Sequence, residues 1–242
     1  MSFSKAHIIS ELQKKILPLQ GYKHAVQTTA FDAGLGPVKC AFPNASFPIG
    51  AVHEFFCSGL EDAAATSGFI AGILSSLLRS NGASLWISSA RLIFPPSLQL
   101  FGIDPDKIIF VDTLKEKEKL WVMEEALKCE GLSAVIGEIQ DISFTSSRRL
   151  QLAVEQSRVT GFLIRQNPKN LTTTCVTRWK IKPLASLPTD GLPGVGFPRW
   201  KVELLKVRNG KPGAWQLEWQ EGRFQHEYKL AAIDKLQQRK AG

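Results

Sequence analysis

Residues 50–74 read GAVHEFFCSGLEDAAATSGFIAGIL. An apolar run at 51–56 passes through a Ser58-Gly59 turn into a small-residue helical pattern. A loop that cradles a triphosphate sits at such a strand-to-helix turn. It needs glycines so that backbone N–H groups reach the phosphates, a lysine on the outer phosphates, and a Ser or Thr hydroxyl for Mg²⁺. Ser58 and Gly59 keep the turn, but Leu60, Glu61, Asp62, Ala63, Ala64 and Ala65 fill the cradle. Thr66 and Ser67 could supply the hydroxyl, yet no lysine precedes them. Two carboxylates here repel a polyanion: at ~4 Å and an effective dielectric of ~20, each like-charge contact costs about 4 kcal/mol. Glu61 and Asp62 instead suit the positive end of the helix that follows.

Other chemistries lack their residues. The histidines are His7, His24, His53 and His226, and neither His-Glu-x-x-His nor Gly-x-Ser-x-Gly occurs. His53, inside an apolar strand, reads as a hydrogen-bonded core residue. Cys40, Cys57, Cys129 and Cys175 are far apart, with no Cys-x-x-Cys. Such spacing does not make a metal site, so no metal and no cofactor are expected. Buried, reduced thiols fit a cytoplasmic protein. No apolar run reaches the ~20 residues of a membrane span, and the N-terminus is not a secretory signal.

Strands and helices must position the turn. From Gly50 they alternate: strand 51–56, helix near 62–80, strand 83–89, a short helix after Pro95-Pro96, strand 107–112, helix 115–130, strand 134–138, helix 145–158 and strand 161–165. This order predicts an α/β fold with a mostly parallel sheet. After residue 170 the pattern becomes antiparallel, with strands at 177–182, 199–207 and 214–219 and a turn at Asn209-Gly210 and Pro212-Gly213. Ahead of the core, residues 4–17 show helical spacing up to Pro18, and 20–48 are Pro/Gly-punctuated. The expected organisation is an N-terminal helix and linker over 1–48, a core with a C-terminal β-hairpin over 49–230, and a polar tail over 231–242.

The 242 residues carry a net charge of +8, unevenly distributed. Residues 1–144 hold 12 Lys and Arg against 15 Asp and Glu, and residues 145–242 hold 18 against 7. A basic half of this kind faces nucleic acid, an acidic protein or simply water.

The ordered set Gly50-Ala-Val-His-Glu54, Leu85-Trp-Ile87, Leu100-Phe-Gly-Ile-Asp104, Trp121-x-Met-Glu-Glu-Ala-Leu127, Ala134-Val-Ile-Gly-Glu138, Ser147-Arg-Arg-Leu-Gln-Leu-Ala153, Thr177-Arg-Trp179, Pro198-Arg-Trp-Lys-Val-Glu-Leu204 and Gly213-x-Trp-x-Leu-Glu-Trp219 resembles the ImuA family. Its members are RecA-like accessory proteins of bacterial translesion mutagenesis, related to SulA and RecA. The likeness covers about residues 45–222 and implies a RecA-like sheet with flanking helices and an antiparallel extension. In the RecA pattern an acidic general base follows the second strand; here that place falls at or near Ala90. A metal-orienting acid ends the fourth strand, where Glu138 stands. The two DNA-holding loops of that pattern are reduced to 141–145 and about 167–172. With Ser58, Gly59, Glu61, Asp62, Thr66, Ser67 and Glu138 as a degenerate nucleotide site, the resemblance implies a protein that is not an enzyme. It implies recruitment of a Y-family-like polymerase partner, ImuB, and RecA during the SOS response. The alternatives are a SulA-like cell-division inhibitor that binds a tubulin-like GTPase, and a single-strand DNA-binding module.

Binding residues are then sought in the basic half. Arg148 and Arg149 open a helix, and Lys169 follows a strand. Period-two alternation places Arg178 and Lys180 opposite Trp179, and Arg199 and Lys201 opposite Trp200. The cationic faces suit phosphates or an acidic protein surface. Trp215 and Trp219 share a face, and read either as core or as exposed anchors for a partner.

Overall fold

The computed structural model describes residues 31–80, 82–90, 93–187 and 196–226. The helix expected at 4–17 and the tail at 231–242 lie outside them. One nine-stranded sheet organises the chain: β1 (Val52–Cys57), β2 (Ala83–Ser88), β3 (Ile108–Asp112), β4 (Leu132–Glu138), β5 (Thr160–Gln166), β6 (Thr177–Leu184), β7 (Arg199–Val207), β8 (Gly213–Gln220) and β9 (Arg223–His226). The order is β3-β2-β4-β5-β1-β6-β7-β8-β9. Pairings from β3 to β6 are parallel, and the last three are antiparallel. This is the mostly parallel α/β sheet with an antiparallel extension that the strand–helix alternation predicts.

Among the described residues three α-helices flank the sheet: α1 (Leu60–Leu77), α2 (Glu116–Ala126) and α3 (Phe144–Ser157). α1 lies on one face, and α2 and α3 on the other, so central strands are buried on both sides and read as continuous apolar runs. α1 is apolar nearly all round because β6–β9 close over it as well: Phe224 and Trp219 pack at Gly72, and Trp200 at Gly68. At the centre, Phe55 stacks parallel to Trp179 with centroids 6.1 Å apart. Each such ring removes ~150–250 Å² from water, about 4–6 kcal/mol by area. Ser143 caps α3, its Oγ accepting from the Ser146 N–H at 3.0 Å.

Two features differ from expectation. Residues 33–47 have the irregular backbone expected of a linker, but they pack as core. Ala33, Leu35, Val38, Ala41, Phe42 and Phe47 are buried through two 3-10 turns, Gly36–Ala41 and Pro43–Ala45. Pro and Gly break helical periodicity without preventing burial. The sheet also gains β9, through a two-residue hairpin in which Glu221 and Gly222 both have positive φ. A glutamate is an unusual left-handed turn residue, so the turn is not evident from residue types.

Candidate functional site

The C-terminal ends of the parallel strands open onto a cleft of about 760 Å³. β1 delivers the 58–59 turn to its edge. Gly59 precedes α1 in an extended conformation, with φ −169° and ψ −175°. The Asp62 carboxylate folds back and accepts from the Ser58 N–H at 3.1 Å. Asn167 ties the turn to the end of β5, its N–H donating to the Cys57 carbonyl at 3.0 Å and its amide to the Ser58 carbonyl at 3.4 Å. Thr66 is fully buried, and its hydroxyl accepts from the Cys57 thiol at 3.3 Å. Ser67 lines the cleft, Glu61 is exposed, and Leu60 is 72% exposed at the mouth.

Glu138 ends β4 at the polar end of the cleft. Its Oε1 accepts from the Trp86 indole at 3.0 Å. Burial raises its pKa, with Asp112 adding to the shift, while the Trp86 bond and Lys119 oppose it. The basic group beside Glu138 is Lys119, from α2. Only 3% exposed, it donates to Ser89 Oγ at 2.8 Å and to the Glu138 carbonyl at 2.9 Å, and pairs with Glu116. Glu116 in turn accepts from the Gln140 N–H at 2.9 Å. Ala90, the place of a general base in the RecA pattern, borders the same cleft. Lys119 was not singled out from sequence. Its signal is a lysine on the inward stripe of α2, one turn before Met123.

The basic candidates lie on α3, in the loop after β5 and on β6 and β7. Arg148 is exposed on α3; Arg149 beside it pairs with Glu124 at 2.6 Å. Lys169 is exposed in the loop after β5. Arg178, Lys180, Arg199 and Lys201 lie on β6 and β7. Of these, Arg178 is largely buried: its Nε donates to Glu54 at 2.7 Å, and its guanidinium sits 4.8 Å from the Phe56 ring centroid. Lys201 pairs with Glu203 at 2.7 Å, and Arg199 donates to the Ala185 carbonyl at 2.9 Å. Trp219 is buried and donates to the Leu100 carbonyl at 3.1 Å; Trp215 is half-buried against the same core.

Among the described residues, no group of three or more His, Cys, Asp or Glu is placed to hold a metal ion. No helix among them is long and apolar enough to cross a membrane.

The fold and its cleft therefore define an α/β protein whose strand-end site is walled by apolar and acidic side chains. The chain is 32% identical to Protein ImuA of Caulobacter vibrioides over 219 residues, covering 85% of this chain and 90% of that protein, in strain NA1000 / CB15N and in strain ATCC 19089 / CIP 103742 / CB 15 alike. It belongs to the ImuA family. It is also 31% identical over 97 residues to the cell division inhibitor SulA of Photorhabdus laumondii, covering 38% of this chain and 55% of that one. No protein-family model matches the chain.

Proposed function

We propose that the chain is a non-catalytic accessory protein of DNA-damage-induced, error-prone translesion synthesis. It acts as a docking platform that bridges a Y-family-like polymerase partner, of the ImuB type, and RecA. One observation carries the non-catalytic part: the 58–67 turn is already satisfied by the protein itself. Asp62 takes the Ser58 N–H that a phosphate oxygen would need, and the Thr66 hydroxyl accepts from the Cys57 thiol. No cation lies between Ser58 and Ser67. A triphosphate entering here would break these bonds and meet two carboxylates. Membership of the ImuA family supports the mutagenesis setting.

Calorimetric titration with Mg·ATP and a steady-state hydrolysis assay test the reading. No saturable binding and no turnover are expected; turnover abolished by Glu138→Gln would sink it. The similarity to SulA favours a second reading, a division inhibitor directed at a tubulin-like GTPase. Purified candidate partners separate the two: stable co-elution with the polymerase-like protein supports the first, and with the filament-forming GTPase the second.

A further inference from the structure

The strand-end cleft is large, and its described lining is mostly apolar with an acidic end. About 760 Å³ lies within the usual range of a ligand site. At its mouth Leu60 is 72% exposed and Phe94 69% exposed, with Phe101 and Trp200 forming the wall behind them. Large apolar side chains left in water beside a concave surface mark an interaction site. The polar end is acidic. Glu116 and Glu138 line it, and Glu61 and Asp62 stand on the first turn of α1 beside Leu60. The single lysine of the described lining is engaged with Glu116, Ser89 and a carbonyl. Two carboxylates against one ammonium in the described lining, with Glu61 and Asp62 on the adjoining turn of α1, disfavour an anion and favour a cation.

We propose that this cleft receives a segment of the partner protein in which an aliphatic or aromatic anchor is flanked by lysine or arginine. The anchor packs between Phe94, Phe101 and Trp200, and the cation faces Glu138 and Glu116. An apolar anchor in a desolvated pocket supplies most of the binding energy, and the carboxylates select the sign of its neighbours. The assignment rests on the docking-platform reading and names the site and chemistry through which it works.

The test uses the full chain and three fluorescein-labelled peptides in polarisation assays. The first carries a Leu-Phe anchor among Lys and Arg, the second the same anchor among Glu, and the third Ser in place of the anchor. The basic peptide is expected to bind at least about tenfold more tightly than the other two. Ala64→Trp, which fills the cleft from an exposed position on α1, and Phe94→Ser, which removes an exposed wall, should each weaken it by about tenfold with unchanged thermal melting. Equal affinity for the acidic peptide, or affinity indifferent to Phe94→Ser, overturns the proposal. So does a photocrosslinker at position 94 that traps residues 4–17 of the chain itself. Failure of the peptides without nucleotide binding rejects this inference alone. Saturable Mg·ATP binding in the same cleft rejects the docking-platform reading as well.

Discussion

Arg165 Nη1 donates to Glu54 Oε1 at 2.6 Å, and both side chains are completely buried. The pair stands on neighbouring central strands, β5 and β1. Arg178 on β6 takes the other carboxylate oxygen at 2.7 Å, and Thr173 donates to the same oxygen at 3.1 Å. Arg165 also donates to the carbonyls of Gln140 and Asn170, at 3.1 and 2.8 Å. One buried carboxylate thus holds two strands and, through its arginine, the loops that follow β4 and β5.

Removing Glu54 takes the close counter-charge from the fully buried Arg165, which keeps two carbonyls and Asp141 at 3.7 Å, and from the largely buried Arg178. Glu54→Ala is expected to cost about 3–5 kcal/mol, the range for breaking a buried pair from one side. Urea denaturation checks this, and proteolysis should cut first in 167–174, which loses its anchor. A wild-type urea midpoint in Glu54→Ala would contradict the assignment.

His53 makes stability depend on pH. Its Nε2 donates to the Pro48 carbonyl at 2.8 Å, and its Nδ1 accepts from Thr177 at 2.7 Å; Thr177 Oγ1 itself accepts from the Trp179 indole at 2.6 Å. The neutral ring stacks on Phe47 at 4.4 Å. Burial lowers its pKa from 6.5 to about 4, against the opposing bond to Pro48. The folded state therefore binds its proton less readily than the unfolded state. The contribution is complete above pH 6.5 and is lost as pH falls towards 4, to a total of about 3 kcal/mol. His53→Asn should flatten the slope of unfolding free energy between pH 6.5 and 4.

Two glycines of the first strand–helix unit should respond differently to alanine. A Cβ on Gly72 would lie 2.5 Å from Phe224 Cζ and 2.9 Å from Trp219 Cζ3, between two packed rings. Overpacking of ~1–3 kcal/mol exceeds the helical gain of at most ~1 kcal/mol, so Gly72→Ala lowers the melting temperature. Gly59 has extended backbone and no neighbour within 4 Å of a Cβ, so Gly59→Ala stays within about 0.5 kcal/mol of wild type. Thermal melts of both variants decide the matter.

The thiols, expected to be buried, instead divide: Cys57 and Cys175 are buried in the core, while Cys40 and Cys129 sit on the surface. Burial pushes Cys57 up to about 11 and Cys175 up to about 12. Ellman's reagent on the native protein at pH 8 should titrate Cys40 and Cys129 rapidly, and the other two only in denaturant. Rapid modification of all four would mean that the 58–67 turn opens in solution.

The basic surfaces also make separable predictions. Arg149→Glu should weaken stability by up to about 1 kcal/mol through loss of the Glu124 pair, and Arg148→Glu should not. If DNA is bound directly through α3 and Lys169, reversing Arg148 and Lys169 should lower affinity and flatten its salt dependence by about one counterion per charge. Unchanged affinity in filter binding would exclude these residues from a DNA surface.

Local pattern alone made the architecture legible. Strands at 51–56, 83–89, 107–112 and 134–138 could be read because doubly buried parallel strands are continuous apolar runs, and helix 145–158 because its apolar positions recur with helical period. The structure moves their ends by a few residues, as at Leu60–Leu77 and Glu116–Ala126. The acidic, lysine-free turn at 58–67 was equally visible, since residue type and spacing are sufficient for it. Tertiary structure alone decided that Lys119 enters the cleft beside Glu138, that Glu54 meets Arg165 and Arg178, and that 33–47 is core. Each depends on a partner far away in sequence: a buried charge is stabilised only where a counter-charge arrives from another strand, and an irregular segment is buried only where an apolar face remains uncovered.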